Sequence, residues 1–399
     1  MQQRRDDTQW RRLRMGMVGG GIGSLIGEAH RIAARIDGGI DLVAGCFSQD
    51  FEKTKLLGRQ LGIEAGRLYP TFEAMVTAES ELDVDSRIDF VAVLTPNHTH
   101  LPIAQAFLKA GFHVLCDKPV TATLEEALQL KQVVDESGRL FGITYNYPGS
   151  AMIREARRLI AEGAIGELRR VVVEYFQGWL SRPLEQERHK QADWRTDPVR
   201  AGVGGSLGDI GTHALNLLEY VTGDRVAQVA AECTSFGPGR LLDDDASVLI
   251  RMSGGARGTL SVSQIAAGER NNLSIRLYGT EGHLTWRQEE PDVLIRGFVE
   301  GPPQRLYRGS PGLGPEASAL ARIPPGHPEG FLEAFANVYR SFAKAVAHAA
   351  YPPVSLPGSV THAPEGVYSS IEAGVRGLLF ATRVVESSKQ GGGWVFVSE

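Results

Sequence analysis

The chain has 399 residues, 42% of them hydrophobic and 22% charged, with a formal net charge of −5 and a sequence pI of about 6.1. A length of this order predicts two domains, and the composition is that of a globular protein rather than a disordered or fibrous one. The acidic balance leaves no nucleic-acid footprint, no apolar run reaches the roughly 18 residues of a membrane span, and Cys46, Cys116 and Cys233 form neither a disulfide framework nor a zinc signature.

Arg4-Arg5 and Arg11-Arg12 suggest a twin-arginine export signal, but the apolar stretch such a signal needs does not follow either pair. Asp6-Asp7-Thr8-Gln9 follows the first, and the second runs into Leu13–Val18, which reads as a strand. Residues 1–11 are therefore expected to be a disordered polar tail, and the protein cytoplasmic. Cys46 and Cys116 lie in apolar strand-like runs, the setting of buried thiols in a reducing compartment.

From Leu13 to about Tyr147, strand-like and helix-like segments alternate, the pattern of βαβ units and a parallel sheet. Strands are expected at Leu13–Val18, Ile40–Phe47, Phe90–Thr95, His113–Cys116 and Phe141–Thr144, with helices at about 26–36, 50–61, 100–110 and 123–137. Thr123 and Glu126 form a capping box at the start of the last helix. Phe90-Val91-Ala92-Val93-Leu94 is apolar throughout, as a strand covered on both faces must be.

After Pro148 a helix over about 151–162 precedes short strands at Glu167–Phe176, Ala227–Phe236, Ala246–Met252, Gly258–Ala266, Leu273–Gly279 and Gly282–Arg287. Strands in succession with Gly turns between them predict a mostly antiparallel sheet. Residues 300–328, rich in Pro and Gly, read as a long surface loop, and helices are expected at about 329–349 and 363–388. The fold class is thus α/β: a Rossmann doubly wound parallel sheet over 12–147, then an α+β domain with an open, mostly antiparallel sheet over 148–399.

Three segments carry chemistry. Gly19-Gly20-Gly21-Ile22-Gly23-Ser24-Leu25-Ile26-Gly27 lies between a strand and a helix, the context a dinucleotide-binding turn requires. Glycines let the backbone approach a pyrophosphate, which then meets free amides at the helix N-terminus. A strict G-x-G-x-x-G would put its third glycine at Ser24, so Gly19, Gly21, Gly23 and Gly27 are the candidate contacts, in a turn wider than usual. Asp117-Lys118-Pro119 then places an ammonium at the carboxyl end of a strand, where ligands dock in such sheets. Gly204-Gly205-Ser206-Leu207-Gly208-Asp209-Ile210-Gly211-Thr212-His213 sets a carboxylate and an imidazole four residues apart, on one face of a helical turn. Taken alone, Asp209 is also a plausible helix cap.

In this order and context the three segments resemble the Gfo/Idh/MocA family, over essentially the whole chain beyond the tail. The resemblance implies a nicotinamide-dependent oxidation of a ring secondary alcohol in a sugar, glycoside or cyclitol. It makes His213 the base, Asp209 its orienter and a substrate ligand, and Lys118 the charge beside the reacting oxygen; Asp117 replaces the commoner Glu of the family triplet. The alternative among such relatives is a glycosidase that oxidises its substrate transiently. The resemblance also implies cofactor contacts from Thr95, Asn97 and His100 in Thr95-Pro96-Asn97-His98-Thr99-His100, from Asp117 and Lys118, and from Asn146.

Ser48 stands where the second strand usually carries a ribose-binding acid, and Lys53 is the nearest cation, so NAD is expected, with NADP the alternative. His98 and His100 have no acidic or Cys companions, so no metal is expected. Trp194 and Arg195 suit a polyhydroxylated ring, or they order a loop. His327 either contacts substrate or caps a helix. The open sheet predicts a homodimer or homotetramer.

Overall fold

The computed structural model describes residues 11–187, 189–350 and 368–398. Most of the expected tail lies outside them, but Arg11 does not: its guanidinium pairs with Asp89 at 2.6 Å. Among the described residues no helix is long and apolar enough to cross a membrane.

Five parallel strands form the first sheet: β1 (Leu13–Gly19), β2 (Ile40–Cys46), β3 (Phe90–Leu94), β4 (His113–Cys116) and β5 (Phe141–Ile143), in the order β2-β1-β3-β4-β5. The helices between them are α1 (Leu25–Ile36), α2 (Phe51–Leu61), α3 (Phe72–Glu81), α4 (His100–Lys109) and α5 (Leu124–Ser137). Side-chain caps start most of these helices: Ser24 for α1, Asp50 for α2, Thr71 for α3, and the full capping box of Thr123 and Glu126 for α5. All five residues of β3 are buried, as its uniform apolarity requires. The order reverses between β1 and β3, and ligands of doubly wound sheets bind at that switch point.

The second domain opens with α6 (Ala151–Ala161) and β6 (Leu168–Phe176), then α7 (Lys190–Arg195), α8 (Pro198–Ala201) and α9 (Thr212–Thr222). Strands β7 (Val226–Thr234), β8 (Asp245–Met252), β9 (Arg257–Ser263), β10 (Asn272–Gly279) and β11 (Gly282–Arg287) follow. Strands β12 (Val293–Phe298) and β13 (Gln304–Tyr307) extend the sheet's edge, and a short helix, α10 (Pro315–Leu320), packs near α6. Strand β12 precedes the stretch expected to be a long loop, 300–328, and that stretch itself holds β13 and α10. The nine strands run β13-β12-β11-β10-β6-β9-β8-β7-β14, with β14 at Val395–Phe396 and β6/β9 the parallel pair.

The last two helices, α11 (Phe331–Ala350) and α12 (Ile371–Lys389), return to the first sheet. Phe335, Tyr339 and Phe342 join Leu13, Met17 and Phe90 in one core, while Ile371, Val375 and Leu378 join Val114 and Ile143 in another. His30 on α1 meets Tyr339 Oη at 2.8 Å, which ties α11 to α1. The division near residue 148 therefore separates the sheets but not the helices that cover them. Residues 363–367 of the expected last helix lie outside the described residues. On the sheet's other face, Leu249 of β8 and Tyr278 of β10 are exposed.

Candidate active site

The glycine turn fits a dinucleotide. A Cβ on Gly19 would lie 2.4 Å from the Leu94 carbonyl oxygen, one on Gly21 2.6 Å from that of Phe47, and one on Gly27 2.4 Å from that of Gly20. These glycines let α1 approach the ends of β1, β2 and β3 more closely than any side chain allows. Gly23 differs: its φ is +76° and its Cβ position meets nothing within 4 Å, so it shapes the open side of the turn. Ser24, which a strict fingerprint would replace by glycine, caps α1 by accepting from Gly27 N at 3.1 Å.

Across the crevice, Asn146 follows β5 with its side chain 2% exposed and its amide Nδ2 without a partner. A buried donor without a partner calls for an explanation, and a ligand in the crevice would supply one. These features together accommodate NAD(P), whose pyrophosphate would face the amides at the start of α1.

Ser48 lies just beyond β2. Its hydroxyl accepts from Asp50 N at 3.2 Å, and Lys53 is exposed and paired with Asp50 at 3.5 Å. Thr95 and Asn97 lie at the end of β3, where Thr99 Oγ1 donates to Thr95 Oγ1 and Asn97 Nδ2 donates to the Ala201 carbonyl at 2.8 Å, a tie between the domains. His100 is buried, and both its ring nitrogens face carbonyls, of Thr95 and Pro119. Asp117 accepts from Thr144 Oγ1 at 2.7 Å and from Lys118 N at 2.9 Å. Among the described residues no cluster of side chains could hold a metal ion.

The catalytic candidates converge from three places in the chain. Lys118, at the end of β4, donates from Nζ to Oδ1 and to the backbone carbonyl of Asp209, both at 2.7 Å. Asp209 does not cap a helix; it sits inside a single π-helical turn, Leu207–Gly211, that runs into α9. That turn is held by Asp243, which accepts from Gly205 N, Ser206 Oγ and Leu207 N at 2.7–2.8 Å. The second carboxylate oxygen of Asp209 accepts from Gln264 Nε2 at 2.8 Å and from Arg195 Nε at 3.3 Å.

Burial on its own raises the pKa of Asp209, but Lys118, then Arg195, and the hydrogen bonds from Lys118 and Gln264 outweigh it and hold the carboxyl far below the usual range. His213, in the first turn of α9, lies edge-on to Tyr145, Tyr147 and Tyr175 at centroid distances of 5.4, 5.1 and 6.3 Å. Burial, then the Lys118 charge, pushes its pKa well down, with Asp209 opposing. The imidazole is therefore neutral at pH 7, and its Nδ1 has no partner.

Gln264, Tyr147, Tyr175, Gln177 and Asn271 belong to this site and were not singled out from the sequence. Tyr147 and Tyr175 share a hydrogen bond of 2.7 Å, Tyr175 Oη donates to Asn271 Oδ1 at 2.9 Å, and Gln177 Nε2 donates to the same oxygen at 2.7 Å. They come from the turn after β5 and from the ends of β6, β9 and β10, with no local signal beyond a polar residue on an otherwise apolar face. Arg195 reaches the site from α7, its guanidinium stacked 4.2 Å from the centroid of the Trp194 ring beside it. His327 does not join them. It is exposed, and its carbonyl is held by Arg308 in a buried cluster with Asp292 and Glu329.

A Rossmann crevice facing a lysine, an ionised aspartate and a neutral histidine defines a nicotinamide-dependent oxidoreductase with a separate substrate domain. Residues 13–145 match the oxidoreductase family with an NAD-binding Rossmann fold, and residues 153–285 match the GFO/IDH/MocA C-terminal domain. The chain belongs to the Gfo/Idh/MocA family and is an NAD(P)-dependent oxidoreductase of the sugar and cyclitol dehydrogenase type.

It is similar to an inositol dehydrogenase homologue from Azotobacter vinelandii solved with NAD+, at 38% identity and a TM-score of 0.90, covering 97% of each chain. An uncharacterised oxidoreductase of Bacillus subtilis (strain 168) is 34% identical over 96% of each chain. Levoglucosan dehydrogenase of Pseudarthrobacter phenanthrenivorans is 29% identical over 60% of this chain and 65% of its own.

Proposed function

We propose that the chain oxidises a ring secondary alcohol of a sugar, glycoside or cyclitol, with Lys118, Asp209 and His213 as its reacting centre. The observation that carries this reading is the 2.7 Å contact of Lys118 with the Asp209 carboxylate beside a buried, neutral imidazole. The nicotinamide, when bound, takes up the hydride. His213 accepts the hydroxyl proton, a role open only to an imidazole kept neutral. Lys118 bonds the same oxygen and stabilises its developing charge in a site shielded from water. Asp209, fixed by Arg195 and Gln264, orients both groups and a neighbouring substrate hydroxyl. The tyrosine, glutamine and asparagine side chains around them suit a polyhydroxylated ring, and Arg195 over Trp194 suits one that carries an anionic group.

Relatives support the substrate class: the Azotobacter homologue has been solved with NADH and myo-inositol, and levoglucosan dehydrogenase with NADH and levoglucosan. A panel of cyclitols, sugars and glycosides supplied with NAD+ tests the proposal through absorbance at the NADH band. Net NADH is expected with at least one polyol. Sugar release from a glycoside without net NADH would indicate the transient-oxidation glycosidase instead.

NAD is the proposed cofactor. No arginine follows Ser48 immediately to hold a 2′-phosphate, and Lys53 lies exposed, 3.5 Å from Asp50. Calorimetric titration should give an NAD dissociation constant at least about tenfold below that of NADP, roughly 1.4 kcal/mol; tighter NADP binding would contradict the assignment.

Assembly through the open face of the second sheet is also proposed. Leu249 and Tyr278 lie exposed on that face, and pairing it with a second copy would remove apolar area from water. Light scattering at micromolar protein should return a dimer or tetramer mass, and a monomer mass would refute it. The reading places the protein in the cytoplasm, consistent with three unpaired cysteines.

A further inference from the structure

Lys118 and Asp209 belong to different domains, yet their side chains meet at 2.7 Å. Such a contact persists only if the turn bearing Lys118 is anchored on both sides. Upstream the anchors are evident: Asp117 N donates to Val93 O at 2.9 Å, and the Asp117 carboxylate is held by Thr144. Downstream stands Pro119, which has no N–H to donate, so its carbonyl is the backbone group left to hold the turn. That carbonyl lies 2.9 Å from His100 Nδ1. Nε2 of the same ring lies 2.7 Å from Thr95 O, and the side chain is 1% exposed. Burial keeps the ring neutral, so it has one N–H for two carbonyls; in the tautomer that carries it on Nδ1 it donates to Pro119 O, while Nε2 packs against Thr95 O.

We propose that His100 is a positioning residue: its imidazole links the end of β3 to the Lys118-Pro119 turn and keeps the Lys118 ammonium in register with Asp209. The inference rests on the reading of Lys118, Asp209 and His213 as the reacting centre. Two further ties run parallel to it, Asn97 Nδ2 to Ala201 O at 2.8 Å and Val203 N to Ala122 O at 3.1 Å. They fix the segment that leads into the Asp209 turn, and through Asn97 on that side and His100 on the lysine's, loop 95–100 reaches both partners of the ion pair. His100 is the member of this brace adjoining the lysine. Displacements of about 1 Å at a reacting group can lower turnover on the order of 10²-fold, so such a tie matters to catalysis without touching substrate.

The test needs no substrate. A double-mutant cycle of Lys118→Met and Asp209→Asn, read by urea unfolding of the full chain, measures how strongly the two side chains are coupled. In the wild-type background the coupling is expected to be about tenfold in the unfolding constant. In a His100→Leu background it should fall below about twofold, a change that a uniform loss of stability would not produce. Asparagine places an amide where Nδ1 stands and should preserve the coupling, whereas glutamine places it where Nε2 stands and should not. That pair carries the test if His100→Leu does not fold. Coupling undiminished in the leucine and glutamine backgrounds would overturn the role of His100 and leave the site reading intact. Absence of coupling in the wild type would remove both.

Discussion

Exchanging His213 for asparagine is expected to lower turnover per folded enzyme by about 10²–10⁴-fold, the effect of removing a positioned acid–base group. NAD binding should change little, because the ring lies among Tyr145, Tyr147 and Tyr175 rather than at the glycine turn. Lys118→Ala should cost at least as much, since it removes the charge that stabilises the alkoxide. The two variants differ in pH dependence.

The base must be unprotonated to act. Its folded pKa is depressed by burial and then by Lys118, so the acid limb of kcat/KM should lie below the ordinary histidine value of about 6.5. Removing the Lys118 charge takes away one lowering influence and leaves the opposing Asp209, so the acid limb of Lys118→Ala should move to higher pH. Active-site-normalised turnover beside a melting curve and a pH profile decides the matter. A His213→Asn enzyme with a lowered melting temperature and normal turnover would make His213 a structural residue.

Gly27→Val should produce the second large effect. The new side chain would start 2.4 Å from the Gly20 carbonyl oxygen and 2.5 Å from Gly20 Cα, so α1 could not stay against the turn. Overpacking of this kind costs about 1–3 kcal/mol or more, and here the strain falls on the pyrophosphate site, so NAD affinity should drop on the order of 10–100-fold. Ser24→Val forfeits only the cap to Gly27 N, about 1 kcal/mol of helix stability. Its NAD affinity should fall far less, and calorimetric titration of both variants measures the difference. Equal losses would mean that Gly27 is not the third glycine of the turn.

The parallel sheet was legible because its central strand β3 is buried on both faces and so is apolar without interruption, and β4 is apolar after His113. Helix α3 was not. Its buried residues are Met75 and Glu79, and Glu79 is inside only because Arg67 and Tyr69 satisfy it, so no apolar stripe marks the segment. Strand β13 and helix α10 lie among glycines and prolines that locally read as loop. Pairing with β12, a long-range partner, makes β13 a strand.

The site divides in the same way. Lys118, Asp209 and His213 stood out because Pro and Gly punctuation fixes them at the ends of strands and helices. Gln264 and Asn271 could not, since only the order of the nine-stranded sheet brings them beside Asp209 and Tyr175. His100 read as a cofactor neighbour from its motif, and its partner Pro119 lies nineteen residues further along the chain.

A crystal structure of the ternary complex with NAD+ and the most active polyol of the panel tests the central claim most directly. The account predicts one ring hydroxyl oxygen within about 2.6–3.2 Å of both the His213 imidazole and Lys118 Nζ, its carbon facing the nicotinamide and a neighbouring hydroxyl on Asp209. A substrate bound with that oxygen on any other side chain, and His213 and Lys118 untouched, would contradict it.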